Sequence, residues 1–446
     1  MDDKKELNQL DFPETIQINE QNHLEIAGVD TIDLANKYGT PLLIYDVATI
    51  RKNIQTYKEA LQTYKQNAEI SYASKAFASV AMYQVIKQEN ISIDVVSGGE
   101  LYLAKQASFP AEKINFHGNN KSKGELEEAL NYGIGHFIVD NFHELEMLRQ
   151  LTTERKQQAT VIIRVTPGVD ADTHKYIMTG HTDSKFGFDL QSGQAEKAVR
   201  MALNAPYLQL DGLHMHIGSQ IFGTDTYLLA MKQVLKYVEK WQEVFAFQLK
   251  IFNIGGGFGI QHTPDEKETA FKQQLETISE NLMSLLDQYD LPYPELWIEP
   301  GRSIVGEAGT TIYEIGSQKN LPDVRHYVAI DGGMSDNIRP AFYGAEYFAL
   351  LANRMTDQTT TEVSIAGKAC ESGDMLIWDL PLPEVEAGDK LAVFNTGDYT
   401  FVMASNYNRI PRPAVVFVEN GKDFLAIRRE TPEDFMRFEN HLPKDF

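Results

Sequence analysis

Ile70-Ser71-Tyr72-Ala73-Ser74-Lys75-Ala76 opens the part of the chain whose reading decides the fold. A short apolar, β-prone run ends abruptly in small and charged residues, as a buried strand does when it passes into a loop. Outward from it the same unit recurs to about residue 300. Further strand candidates are Ile91–Val95, Ile114–Phe116, Phe137–Val139, Val161–Val165, Leu210–Ile217, Lys250–Ile254 and Glu295–Ile298. Amphipathic stretches such as Lys123–Tyr132 and Thr226–Phe245 lie between them and predict helices. Roughly eight strand–helix units in succession match the number that closes a (β/α)8 barrel of the TIM type. A doubly wound open sheet shares this periodicity, and the pattern alone does not choose between them.

Beyond Glu307 the texture changes to alternating β-branched and aromatic runs: Thr310–Tyr313, Lys390–Phe394 and Ala414–Phe417. Glycine and proline punctuate them, which predicts a second, mostly β domain. The segment up to Tyr45 has short β-like runs of its own and is expected to join it. The expected division is therefore a barrel over 46–307 and a β domain over 1–45 and 308–446.

The net charge of −22 repels a phosphate backbone or an anionic membrane, so neither nucleic acid nor membrane is an expected partner. The first ten residues, MDDKKELNQL, hold no apolar signal region, and no apolar run reaches the length of a membrane span. A single cysteine, Cys370, cannot form an intrachain disulfide. A soluble cytoplasmic protein is expected.

In a barrel the chemistry collects at the C-terminal ends of the strands. Those ends carry Lys75, Asp94 with Ser97, His117, Arg164, His216, Gly255-Gly256-Gly257 and Glu299. A desolvated lysine loses its proton easily and can form an imine with a carbonyl, although a surface lysine at a junction looks the same in sequence. The glycine run lets bare N–H groups approach an anion, but it fails the G-x-G-x-x-G dinucleotide pattern because Ile260 and His262 occupy the wrong places. His214 and His216 alternate on one predicted strand and would share a face. Further metal ligands at suitable spacing are not evident, so no metal site is expected. His214 is better read as a packed core histidine and His216 as a ring that lies on a planar cofactor. Glu299 could hold a proton on a cofactor nitrogen, or could simply pair with Arg302 within the turn. Cys370, in Ala369-Cys370-Glu371-Ser372-Gly373-Asp374, reads as a loop thiol rather than a buried one.

Ten motifs extend from about Pro41 to Arg429. They are YASKA (72–76), DVVSGGEL (94–101), HGNNKS (117–122), TPGVDADTHKYIMTGHTDSKFGF (166–188), GLHMHIGSQI (212–221), IGGGFG (254–259), EPGRS (299–303), RPAFYGA (339–345), CESGD (370–374) and MASNYN (403–408). Together they resemble the barrel-type pyridoxal 5'-phosphate (PLP) decarboxylases, and most closely the diaminopimelate decarboxylase family. The resemblance implies that Lys75 carries PLP covalently and that His216 stacks on its ring. Ser219, Gly256, Gly257, Gly301 and Tyr399 would surround the phosphate, with Asp94 and Arg302 also in the cofactor site. Glu299 would keep the ring nitrogen protonated. Arg302, Arg339 and Tyr343 would grip a distal substrate carboxylate, with Tyr399 beside them, and Glu371 would take the distal ammonium. Cys370 would donate the proton after CO2 leaves, reaching in from a partner subunit of a homodimer. The implied reaction is decarboxylation of meso-2,6-diaminopimelate to L-lysine. The alternatives are a decarboxylase of ornithine, lysine or arginine, a racemase on the same barrel, and a cofactor-free, partner-binding homologue.

Three positions depart from the family pattern. Asp398 stands where alanine is usual and is expected to point away from the phosphate. Asn141 replaces a serine, and Leu380 replaces an arginine.

Overall fold

The computed structural model describes residues 12–168, 184–266 and 270–446. Most of the long TPGVDADTHKYIMTGHTDSKFGF motif lies outside the described residues. The chain separates into two compact units. One covers the chain up to Ile50, a short stretch from Gln261, and Val305–Phe446; the other holds Arg51–Ile260 and the stretch that ends at Ile304.

The second of these is the barrel. Its strands are Ala68–Ala73, Ser92–Val95, Ile114–Phe116, His136–Val139, Ala159–Thr166, Leu208–His214, Ile251–Asn253 and Glu295–Ile298. Each pairs in parallel with the next, and the eighth pairs with the first, so the sheet closes. Closure excludes the open doubly wound sheet. The sixth strand ends at His214, short of the predicted Ile217, and this matters for the site. A Cβ on Gly212 would lie 1.9 Å from the Ile251 carbonyl oxygen, so only glycine lets the sixth and seventh strands meet there.

Helices between the strands follow from local signals. Lys123–Tyr132 starts at a reciprocal capping box of Ser122 and Glu125, buries Leu126, Ala129 and Leu130, and stops at left-handed Gly133. Asp225–Phe245 buries Tyr227, Ala230, Met231, Val234, Leu235, Val238 and Trp241 at helical spacing. Asn141 caps the helix Phe142–Arg155 by accepting the Glu144 N–H at 3.0 Å, a task serine also performs, so that departure is conservative.

The other unit is mostly β. Strand Leu42–Asp46 lies inside its larger sheet, antiparallel to Gly309–Leu321 and parallel to Ala414–Glu419. The N-terminal segment thus joins the C-terminal strands, as its sequence predicts. Leu380 is buried in an apolar cluster with Val363, Ile365 and Leu382, where an arginine would be costly. Among the described residues no helix is long and apolar enough to cross a membrane.

Candidate active site

Inside the C-terminal half of the barrel the side chains turn polar. Asp94, Asn115, His117, Arg164, His214, Asn253 and Glu299 are all buried. Polar groups at such depth are tolerable only when they satisfy one another. Here they converge on Glu299, itself 8% exposed. His214 Nε2 lies 3.0 Å from one carboxylate oxygen, and Asn253 donates its amide N–H to the other at 2.6 Å. His117 Nε2 forms an ion pair with that second oxygen at 3.1 Å and reaches Asp94 at 3.6 Å. Ser71 in turn donates to Asp94, and Asn115 to Ser71 at 3.0 Å.

Charge states follow from these contacts. Burial alone would raise the Glu299 pKa, but His117 and His214 outweigh it and hold the group well below the carboxylate range. His117 shows the mirror effect: burial disfavours its charge, yet Glu299 and Asp94 lift its pKa to about 9. Burial lowers His214 to about 4 despite Glu299. Near neutral pH the cluster therefore holds an ionised Glu299, a protonated His117 and a neutral His214 that donates from Nε2.

His214 is buried, as its reading as a packed core residue expects, and it is also a direct partner of Glu299. The reading that His214 and His216 share a strand face is corrected, because His216 lies beyond the strand end. Its Nδ1 accepts the Gly256 N–H at 3.3 Å. Burial and the nearby charges of Lys75 and Arg164 push its pKa well down. His117, His214 and Glu299 bring three ligand-capable atoms within 4.8 Å of one another. Spacing along the chain could not show this, since each comes from a different strand end.

The rim loops bring the other predicted residues together. Lys75 sits in a single turn, Ser74–Ala76, directly after the first strand. Gly301 packs on that turn, and a Cβ there would lie 3.0 Å from Ala73 Cβ and 3.1 Å from Ala76 Cβ. A Cβ on Gly256 would lie 2.0 Å from the Glu299 carbonyl oxygen, and one on Gly257, at φ +111°, 2.5 Å from that of Gly218. Bare backbone is therefore obligatory where the loops after strands six, seven and eight meet. Arg302 Nη2 donates to Ser219 Oγ at 3.0 Å across the same meeting point.

In the β unit, Arg339 opens the helix Arg339–Tyr343. It is 6% exposed and donates from Nη1 to the Asp398 carboxylate at 2.7 Å. Asp398 is fully buried, so this departure from the family pattern is an interior charge with a partner. Tyr399 follows at φ 55°, with its ring centroid 5.7 Å from the Arg339 guanidinium carbon. Tyr343 is half-buried. Cys370 and Glu371 stand exposed on an outward loop. Buried Asp374 fastens that loop by accepting the Met334 and Ala369 N–H groups at 2.6 and 2.8 Å. The Cys370 N–H donates to Asn408 Oδ1 at 2.7 Å, joining the CESGD and MASNYN motifs.

Comparison with known proteins agrees with this geometry. A family model described as the pyridoxal-binding domain of pyridoxal-dependent decarboxylases matches residues 47–306. The diaminopimelate decarboxylase of Bacillus methanolicus is 54% identical over 419 residues, covering 94% of this chain and 97% of the relative. That of Bacillus subtilis is 54% identical over 425 residues, 95% of this chain and 97% of its own. The crystal structure of diaminopimelate decarboxylase from M. jannaschii in co-complex with L-lysine superposes with a TM-score of 0.89 at 34% identity, over 96% of this chain and 98% of that one. The family's cofactor is PLP, and the residues present fit it. An amine stands at one rim, an ionised carboxylate in the depth suits a pyridinium N–H, and glycine backbone with Ser219 and Arg302 suits a phosphate. The chain belongs to the pyridoxal-dependent decarboxylases and, within them, to the diaminopimelate decarboxylase family.

Proposed function

We propose that this protein decarboxylates meso-2,6-diaminopimelate to L-lysine and CO2, the closing step of lysine formation, as a cytoplasmic enzyme. Bound PLP supplies an electron-withdrawing ring that accepts the electron pair left when CO2 departs. The chain's own residues do the rest. Lys75 gives the amine that attaches the cofactor, and His216 covers one face of the ring. Asp94 tethers His117 beside Glu299, and Glu299 keeps the ring nitrogen protonated. Ser219, Gly256, Gly257, Gly301, Arg302 and Tyr399 take the phosphate.

The observation that carries the reading is the Glu299 carboxylate, buried and held by His117, His214 and Asn253. An ornithine or arginine decarboxylase would need the same carboxylate, so the substrate rests on other groups. Arg302 and Arg339, with Tyr343 and Tyr399, offer a distal carboxylate a planar, forked partner, which ornithine could not use. Glu371 takes the distal ammonium, and Cys370 returns a proton to the carbon that lost CO2. Both stand on an exposed loop, which supports a homodimer in which each protomer completes its partner's site.

The direct test is release of CO2 and L-lysine from meso-diaminopimelate by PLP-loaded protein, with L-ornithine, L-lysine and L-arginine alongside. Turnover of diaminopimelate alone is expected. Turnover of a basic amino acid instead would keep the cofactor roles and overturn those of Arg302, Arg339 and Glu371.

A further inference from the structure

Arg339 already has a carboxylate partner inside the protein. Its Nη1 donates to Asp398 Oδ2 at 2.7 Å and also reaches the Asp398 carbonyl oxygen at 3.3 Å. That leaves the other edge of the guanidinium, Nε and Nη2, which is the side that receives a carboxylate through two parallel N–H bonds. Arg339 Nε is buried and has no hydrogen-bond acceptor among the described residues. A buried donor without an acceptor is costly unless a ligand supplies one. Behind Asp398 stands His262, with Nε2 3.9 Å from Asp398 Oδ1 and Nδ1 3.5 Å from Glu266.

We propose that Asp398 sets how tightly this protein holds a carboxylate ligand. It occupies one edge of Arg339 as an internal counter-ion, cancels its charge, and leaves the Nε–Nη2 edge as a two-point but weakly attracting seat. The inference rests on Arg339 being the partner of the substrate's distal carboxylate. That carboxylate survives the reaction, so substrate and product present the same group to the same edge. A seat of full positive charge would hold the product as firmly as it recruits the substrate. An internal carboxylate moderates both, because recognition then depends on the directed N–H pair more than on charge.

Two effects give removal of the Asp398 charge the same sign. Repulsion between Asp398 and a ligand carboxylate about 6 Å away would disappear; at an effective dielectric of ~20 that is up to ~100-fold in binding, reduced by water and relaxation. Arg339 would also be left as a buried charge without a partner until a ligand supplied one.

The test titrates wild-type, Asp398→Asn, Asp398→Ala and Arg339→Ala holoenzymes with L-lysine and with cadaverine, by calorimetry. Cadaverine is lysine without its carboxylate and serves as the internal control. L-Lysine is expected to bind about tenfold or more tightly to both Asp398 variants, with cadaverine within about twofold. KM for diaminopimelate and kcat should fall together as product release slows. The Asp398→Asn change preserves the shape of the side chain, so the comparison holds even if the alanine variant does not fold. Lysine affinity that stays level or weakens, or that shifts equally with cadaverine, overturns the proposal. Should Arg339→Ala leave the lysine preference intact, the Arg339 reading itself fails and the inference with it. Should Arg339→Ala abolish the preference while neither Asp398 variant raises it, Asp398 alone has been misjudged.

Discussion

Exchanging one oxygen for nitrogen in Glu299→Gln removes the charge that three buried partners are arranged to hold. The amide cannot keep a ring nitrogen protonated, so kcat on diaminopimelate is expected to fall about 10²–10⁴-fold. PLP should still bind, which its visible absorbance would report. Unchanged kcat would remove Glu299 from the chemistry. His117 carries a pH signature of its own. Its pKa in the folded protein is raised from 6.5 to about 9, with burial opposed and outweighed by Glu299 and Asp94. A raised pKa means that its contribution to stability is complete below about pH 6.5 and fades as pH climbs through about 9. The Tm should therefore drop across that window in the wild type and less steeply in His117→Gln. Equal slopes would place the pH dependence elsewhere.

Loops and strand ends make the next set of predictions. The side chains of Lys121 and Glu144 are each 1% exposed and form an ion pair at 2.7 Å, and Lys121 also donates to the Gly118 and Ile138 carbonyls at 2.9 Å. This clamp ties the loop that starts at His117 to the next strand. Glu144→Gln leaves a buried ammonium without its counter-ion, so a loss of about 3–5 kcal/mol is expected in denaturant melts. A change below about 1 kcal/mol would show that the pair is replaceable. Gly256→Ala presses a methyl onto the Glu299 carbonyl, and the two loops must separate. PLP affinity is expected to fall at least tenfold by fluorescence titration, with most of the Tm retained.

At this scale much is legible in the sequence. All eight barrel strands lie where apolar runs end in small or charged residues, because a strand buried on both faces must read that way. The glycine loop and Lys75 stand out because strand ends are predictable. What escapes is the pairing across the barrel. His214 and Glu299 are 85 residues apart, and Arg339 and Asp398 are 59 apart. No local spacing joins them; only closure of the sheet, or the packing of a β unit, does. His214 looks like core in sequence because it is buried, and its contact with Glu299 leaves no local mark. Asp398 is fully buried with its carboxylate against Arg339, a partner that its sequence neighbours do not name.

For the whole molecule, the outward placement of Cys370 and Glu371 has a quantitative test. In the proposed homodimer with shared sites, the Lys75→Ala and Cys370→Ala proteins should each be nearly inactive. After subunit exchange, about half the dimers are mixed and each mixed dimer has one intact site, so activity should recover to about a quarter of wild type. No recovery, with exchange verified by mass spectrometry, would mean that each protomer uses its own cysteine.

Leu42–Asp46 lies between Gly309–Leu321 and Ala414–Glu419. During synthesis that strand leaves the ribosome before any of the barrel, yet its neighbours come last. At about 5–20 residues per second, Gly309 follows Asp46 by roughly 15–50 s. For that interval an apolar strand waits with both edges unpaired while the chain behind it has all it needs to close the barrel. A nascent chain stalled once residue 305 has cleared the ribosome should therefore show a protease-resistant barrel joined to a cleavable N-terminal arm, and the period of greatest exposure to aggregation belongs to that arm.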